Sequence, residues 1–332
     1  MTSARRHRTL RDAVCLTAIV LAAPVAVGLL GACARGDGGS GHGPRRVGVI
    51  AGFRTPESVR YDPDQDVFFV SNINGNPSLA DSNGYIVRVS AADLRTATMF
   101  AEGRRDGVTL HSPKGLAVQG DTLWVADVGA LRGFHRRTGR PVATVDFGGF
   151  GTHFLNDVAV GPDGALYISD TGITISEKGT LHPGPDRIFR VGAQRQVSVL
   201  VDADTLHWPN GLAWDARGGR WIVASFRPIT SELYTLAPGA AALVRLAGGP
   251  GKLDGVEVLP DGRVLVTAWA DSSVHLYAST DSSYRYITGI PEPADLGVDT
   301  KRNRIAVPSF TGDRVEVWQI GDRARERGGT SN

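Results

Sequence analysis

Apolar and polar positions alternate along this chain in short runs, and one run recurs six times. It reads TPESVRYDP from 55, SPKGLAVQG from 112, FLNDVAVGP from 154, WPNGLAWDA from 208, KLDGVEVLP from 252 and PADLGVDTK from 293. In each the third residue is polar and the following odd positions are mostly apolar or small, the period of a strand with one covered face. The third residues are Glu57, Lys114, Asn156, Asn210, Asp254 and Asp295, separated by 57, 42, 54, 44 and 41 residues. That spacing matches the blades of a β-propeller. A second strand follows each run: VFFVSN, TLWVAD, ALYISD, RWIVAS, RVLVTA and RIAVPS, joined to it by turns such as PDG, QGD and RGG. Third strands follow in all six repeats and fourth strands in five. The sixth repeat lacks a fourth, and RVGVIAG at 46–52, ahead of the first repeat, has the alternation to supply it. The pattern predicts an all-β chain, a six-bladed β-propeller over 46–321 whose N-terminal strand completes the last blade and leaves no long open edge.

Composition adds little to this fold and removes one class of function. The 332 residues are 42% hydrophobic and 21% charged, with 42 glycines and 18 prolines, a turn-heavy balance suited to many short strands. The formal charge is +2, but Arg5, Arg6, Arg8 and Arg11 against Asp12 give residues 1–32 a charge of +3, so the remainder is −1. A near-neutral remainder gives no reason to expect a nucleic-acid partner, since neutralising phosphates needs a basic patch.

The N-terminus reads as an export signal. RRHRTLR precedes the apolar stretch Ala13 to Leu30, which ends in LLGAC with Cys33 last. Small residues before a cysteine resemble the lipobox of bacterial lipoproteins, which implies cleavage after residue 32, lipidation of Cys33 and a membrane anchor at the cell envelope. Cys15 falls inside the removed segment, so Cys33 is left without a disulfide partner. Residues 33–45 follow as a Gly/Ser-rich tether, and 322–332 form a polar tail.

First strands of propeller blades line the central channel, so the six third residues are expected to ring one mouth. Polar loop-entry residues satisfied by backbone would explain some of them. Glu57, Asn156, Asn210 and Asp254 offer only oxygen, however, which selects a hard cation: Ca²⁺ first, then Mg²⁺ or Mn²⁺.

With these residues the chain resembles the regucalcin/gluconolactonase (senescence marker protein) family of six-bladed propellers, related in layout to diisopropyl-fluorophosphatase and more distantly to paraoxonase. The resemblance implies a divalent cation (Ca²⁺, or Mg²⁺, Mn²⁺ or Zn²⁺) held by Glu57, Asn210 of PNG and Asp254 of LDG. It implies that Asn156 of LNDV lies beside the metal and meets the substrate, and that Asp254 is also the general base. Gly211 is expected to let the backbone turn sharply behind Asn210. Departures from the family pattern are Phe154 in place of an arginine, Val158 in place of a glycine, and Ser58-Val59-Arg60 after the first-blade glutamate. They leave a more apolar lactone or ester as open as a sugar lactone. Lys114 is expected to pair with Asp295 or Glu57, or to meet an anionic substrate, and Asp295, Phe154 and His111 are expected at the substrate site as well.

His111, His153 and His207 each stand three residues before a ring position, in loops entering the mouth. A histidine there can shuttle protons at neutral pH, with His153 and His207 favoured because their ring partners are Asn156 and Asn210; each alone is more often a packed loop residue. Two long connections, 72–84 and 171–186, are expected on this face as a lid.

Together these features point to metal-dependent hydrolysis of a small lactone or ester, with the metal as Lewis acid and Asp254 as base. No G-x-S-x-G motif suggests a serine nucleophile. The competing class is a lipid-anchored propeller that binds a ligand or protein partner through a structural Ca²⁺, because this fold does not dictate chemistry.

Overall fold

The computed structural model describes residues 43–279 and 282–321. The export signal, Cys33, most of the tether and the tail 322–332 lie outside them. The described residues form six four-stranded antiparallel sheets arranged as a β-propeller, and no α-helix occurs among them. The innermost strands are Pro56–Asp62, Leu116–Gln119, Leu155–Val160, Pro209–Asp215, Leu253–Val258 and Gly297–Asp299. The last blade takes its outermost strand, Arg45–Ala51, from the other end of the chain, paired antiparallel to Arg314–Gln319. This closure is the one predicted.

Second strands are apolar on both faces because both faces are covered. In Val67–Asn72, Phe68 packs toward the sixth blade against Ala306, Val315 and Val317, while Phe69 packs toward the second blade against Leu116, Leu123 and Val125. Six such clusters fill the seams between neighbouring blades. Outer strands such as Pro141–Asp146 keep one exposed face, so there the two-residue alternation survives.

The innermost strands carry a repeated irregularity. Between Pro56 and Val59, Leu155 and Val158, Pro209 and Leu212, and Leu253 and Val256, two residues oppose one on the neighbouring strand, a β-bulge. A hydroxyl from that neighbour holds the bulge in three blades. Ser71 Oγ accepts from Ser58 N–H at 2.9 Å, Ser169 Oγ from Asp157 N–H at 3.0 Å, and Thr267 Oγ1 from Gly255 N–H at 2.8 Å. The bulge displaces two consecutive residues of the inner strand from the regular in-out alternation. The channel therefore has an upper tier at the mouth and a second tier one residue deeper.

The sixth blade corrects the sequence reading. Pro293 bridges Ser309 just as Pro56 pairs with Asn72, Leu155 with Asp170, Pro209 with Ser225 and Leu253 with Ala268. The upper-tier residue of this blade is therefore Ala294, and Asp295 belongs to the second tier beside Ser58, with which it forms a parallel bridge. Backbone conformation agrees. The residue two before the upper tier has positive φ in four blades, at Thr55 (50°), Trp208 (64°), Lys252 (56°) and Glu292 (44°), values that non-glycine residues rarely adopt.

Candidate functional site

The upper tier, or collar, consists of Glu57, Lys114, Asn156, Asn210, Asp254 and Ala294. All six are buried, with Glu57 the most exposed at 6%. Each collar is aimed by the residues before it. Asn72, Asp127 and Asp170 end the second strands of the first three blades. Their side chains accept from Arg54 N–H (3.0 Å), Ser112 N–H (2.7 Å) and Phe154 N–H (2.8 Å), which ties down the approach to Glu57, Lys114 and Asn156. In the fourth blade Asp186, from the 171–186 loop, accepts from Trp208 N–H at 2.7 Å.

Small residues of the second tier let the blades close in. A Cβ on Gly211 would stand 2.5 Å from the Asp254 carbonyl oxygen, and one on Gly255 would stand 2.5 Å from Asp295 Cα. Gly211 does not have positive φ, so its role is the approach of the next blade and not the sharp turn expected from the sequence. Asn156 is oriented by its amide, which donates from Nδ2 to Thr171 Oγ1 at 2.9 Å while Thr171 Oγ1 donates to Pro209 O at 2.8 Å. The Asn156 side-chain oxygen is left free for the channel.

The electrostatics are those of crowded acids. Glu57 Oε2, Asp254 Oδ1 and Asp295 Oδ1 are buried without hydrogen-bond partners. Burial, then repulsion from Asp254 and Asp295, holds the Glu57 carboxyl well above its ordinary range. Burial followed by Asp295 does the same to Asp254, and burial followed by Asp157 does it to Asp295. Asp157, in the second tier, is pushed up to about 7, chiefly by burial and against the pull of Arg60. An orphaned buried carboxylate costs about 1–3 kcal/mol or more, so Glu57 and Asp254 at the collar call for a missing positive charge, whereas Asp295 has Ser58 and Arg60 beside its other oxygen. The donors are all oxygen, and two of the four expected ligands are amides. Among the described residues no three His, Cys, Asp or Glu side chains converge as a metal group, so a cation here would need the amide oxygens of Asn156 and Asn210. That set fits a hard cation better than Zn²⁺.

Lys114 departs from its expected pairing. Its ammonium makes no ion pair with Glu57 or Asp295 among the described residues. It donates to Ser112 O at 3.1 Å and sits 4.2 Å above the Phe154 ring. Burial pushes it down to about 8, opposed by Glu57, Asp127 and Asp170. Asp295 is out of reach because it lies a tier lower, where Ser58 Oγ donates to it at 2.6 Å and Arg60 stands 3.8 Å away. Phe154 is thus the platform for a buried ammonium, an arrangement worth up to about 2 kcal/mol when desolvated.

The three expected histidines are held in the loops, and no hydrogen bond joins them to the collar. His111 Nδ1 accepts from Ser82 N–H at 3.1 Å. His153 is anchored through its backbone to Asp170. His207 stacks on Tyr234 with centroids 5.8 Å apart. A fourth histidine, which the offset pattern could not reach, pairs with a carboxylate in these loops. His182 Nε2 lies 2.7 Å from Asp186 Oδ1, and its ring stacks on Trp208 at 5.1 Å. Together with His207, Asp204 and Arg227 it lines a cavity of about 320 Å³. The only sequence signal was a His and an Asp four apart in HPGPD.

The two long loops meet as expected of a lid. Asn76 Nδ2 donates to Ile175 O at 3.0 Å, and Ile175 N–H donates to Ser78 Oγ at 2.9 Å. The second loop carries its own hairpin, Thr174–Ser176 with Gly179–Leu181. A larger cavity of about 470 Å³ contains Arg60, Glu257, Ala117, Ala159 and Ala213 in its wall. It touches none of the orphaned acids and is not the candidate site.

Solved structures share this architecture. A putative gluconolactonase is 20% identical with a TM-score of 0.63, over 85% of this chain and 93% of that one. A gluconolactonase from Xanthomonas campestris is 15% identical with a TM-score of 0.65, over 84% and 95%. Regucalcin from Agrobacterium tumefaciens, a calcium-binding protein, is 14% identical with a TM-score of 0.58, over 84% and 98%. At these identities the likeness shows the fold. Comparison with curated proteins gives no match. The sequence model described as the SMP-30/Gluconolactonase/LRE-like region matches residues 55–293, from the entry of the first inner strand to the sixth-blade Pro293, and the chain belongs to that family.

Proposed function

We propose that the chain hydrolyses lactones or related esters with the help of a divalent cation, Ca²⁺ before Mg²⁺ or Mn²⁺, held by Glu57, Asn156, Asn210 and Asp254. The observation that supports this most directly is the orphaned pair Glu57 Oε2 and Asp254 Oδ1, buried at one channel mouth. When bound, such a cation polarises a carbonyl oxygen as a Lewis acid. The residues of the chain supply the rest. Asn156, locked by Thr171, and Asn210 present neutral oxygens that orient the reacting group. The Asp254 carboxylate takes the proton of the attacking water, whose oxygen bonds to the acyl carbon. The acyl C–O bond then breaks, and the proton passes to the departing alkoxide oxygen from Asp254, or from His153 or His207 acting as shuttle. The product is a hydroxy acid, or an acid and an alcohol. From the sequence alone, we further propose that Cys33 anchors this activity at the cell envelope.

The test is proton release from a panel of lactones and aryl esters by protein beginning after Cys33, with Ca²⁺ and with chelator, beside Asp254→Asn. Hydrolysis that requires metal and is lost in the variant supports the reading. Bound Ca²⁺ with no turnover overturns it and leaves a ligand-binding propeller.

A further inference from the structure

One position in every blade directly follows the second strand on the lid-bearing face: Ile73, Val128, Thr171, Phe226, Trp269 and Phe310. In five blades its backbone N–H donates to the carbonyl two residues before the collar, which fixes its height at the mouth. The pairs are Ile73 to Thr55 (3.1 Å), Thr171 to Phe154 (3.0 Å), Phe226 to Trp208 (2.8 Å), Trp269 to Lys252 (3.0 Å) and Phe310 to Glu292 (3.0 Å). In the first three blades this position is aliphatic or a hydroxyl, and Thr171 is spent on Asn156. In the last three it is aromatic. Phe226 meets Trp269 edge-on with centroids 5.1 Å apart, and Trp269 meets Phe310 at 5.0 Å. The rings form one continuous arc, half-buried, above Asn210, Asp254 and Ala294.

Two features tie the arc to the reacting end. The indole Nε1 of Trp269 is buried without a partner, and its backbone N–H donates at 3.0 Å to the carbonyl of Lys252, two residues before Asp254. Beneath Trp269 and Phe310 the collar carries a methyl, Ala294, which is fully buried. The rim of the mouth is therefore divided, with Ile73, Val128 and Thr171 on the side of Glu57, Lys114 and Asn156, and three contiguous rings on the side of Asn210, Asp254 and the apolar Ala294. A polyhydroxylated ring placed there would bury hydroxyls against carbon, and each would lose its hydrogen bonds to water.

From this division we infer that the non-reacting part of the substrate is an apolar group, aryl or alkyl, seated on Phe226, Trp269 and Phe310. This rests on the hydrolase reading above and names its substrate class. The arc is the specificity determinant: it discriminates by the presence of the apolar substituent, and the collar is indifferent to it. Truncating a ring that touches the substituent lowers kcat/KM for substituted substrates by about tenfold or more, the usual scale for lost apolar contact.

The experiment compares kcat/KM for unsubstituted, hexyl-substituted and benzyl-substituted γ-lactones and for glucono-lactone, in wild type, Phe226→Ala, Phe310→Ala and the milder Phe310→Leu. In parallel, quenching of Trp269 fluorescence by a benzyl-substituted lactam, read against Trp269→Phe and in chelator, reports binding without turnover. A tenfold or larger gain for the substituted lactones, lost in the alanine variants and partly kept in Phe310→Leu, is the result expected. Best turnover of glucono-lactone, or a gain that survives both alanine variants, overturns the inference while leaving hydrolysis standing. No turnover of any substrate, with quenching that Phe310→Ala abolishes, overturns the hydrolase reading and keeps the arc as an apolar binding platform. Neither turnover nor quenching overturns both.

Discussion

Ser58 donates its hydroxyl to Asp295 Oδ2 at 2.6 Å, one tier below the collar and across the seam that joins the last blade to the first. The same seam carries backbone bonds from Asp295 N–H to Glu57 O (2.9 Å) and from Val59 N–H to Asp295 O (3.1 Å). Asp295 is therefore a closure residue. It faces Arg60, whose guanidinium pairs with Glu257 and donates from Nε to Leu116 O at 2.8 Å. Arg60 is the cation that faces the second-tier acids, and burial of its acidic partners makes it matter.

Arg60→Met is expected to destabilise the protein by about 3–5 kcal/mol, because it leaves buried acids without their counter-charge. At roughly 2–4 °C per kcal/mol, the melting temperature should fall by about 6–20 °C. Asp295 and Asp157 both have raised proton affinity. As pH falls both become neutral in the folded protein before ordinary carboxylates do, so the deficit should shrink toward low pH. Melting curves at pH 5 and pH 8 check this, and an equal deficit at both refutes the electrostatic account.

Gly211→Ala is expected to cost more than about 3 kcal/mol, since its Cβ would strike the Asp254 carbonyl, which is backbone and cannot swing aside. Gly219→Ala is the comparison. That glycine has φ +60 but open space around it, so the cost there should be about 1 kcal/mol. Denaturant midpoints of the two variants measure the difference. Equal losses would mean that the blades can move apart at the collar.

These cases show how much of the molecule its residues disclose. The blade count, the closure by the N-terminal strand and the lid all follow from two-residue alternation and loop length, which are local. The collar was legible in five blades because a polar residue interrupts an apolar alternation. In the sixth blade the run of residues puts Asp295 third, although the alternation marks another place. Placing Asp295 third leaves Gly297 and Asp299 at the apolar positions, whereas placing Ala294 third puts Leu296 and Val298 there. Alternation therefore points to Ala294, but an alanine at the collar carries no polar interruption to mark it. The second tier was not legible, because only a bulge brings consecutive residues such as Asn156 and Asp157 into the channel. The His182–Asp186 contact depends on how a sixteen-residue loop folds back, and the preference of Lys114 for Ser112 and Phe154 depends on packing from a different blade.

The metal-free protein should lose stability as pH rises. Glu57, Asp254 and Asp295 are acids whose folded proton affinity exceeds the unfolded one. The folded state thus holds more protons above the ordinary carboxylate range, near 4, and stability falls with pH from there upward. A cation that replaces those protons should raise the melting temperature more at pH 8 than at pH 5. In chelator at pH 8, Glu57→Gln should be more stable than wild type by about 1–3 kcal/mol and should lose most of its response to Ca²⁺. Calorimetry with Ca²⁺ and with chelator at both pH values tests this; a Ca²⁺ response independent of pH and of Glu57 would place the cation elsewhere.

Lys114 should oppose the same cation. Its ammonium is pushed down to about 8 by burial, so it is charged at pH 7 and neutral at pH 9. Two cations sharing one channel repel, at about 2 kcal/mol per pair of unit charges 8 Å apart with an effective dielectric constant of 20. Ca²⁺ affinity of the wild type should therefore rise between pH 7 and pH 9 as this ammonium discharges. Lys114→Met removes the repulsion, and at pH 7 it should bind Ca²⁺ at least about threefold more tightly. The affinity of the variant should also change less between pH 7 and pH 9. Titration calorimetry at both pH values gives the four constants needed. If the variant binds more weakly at pH 7, Lys114 supports the site by restraining Phe154 and the loop before it, and its charge is secondary.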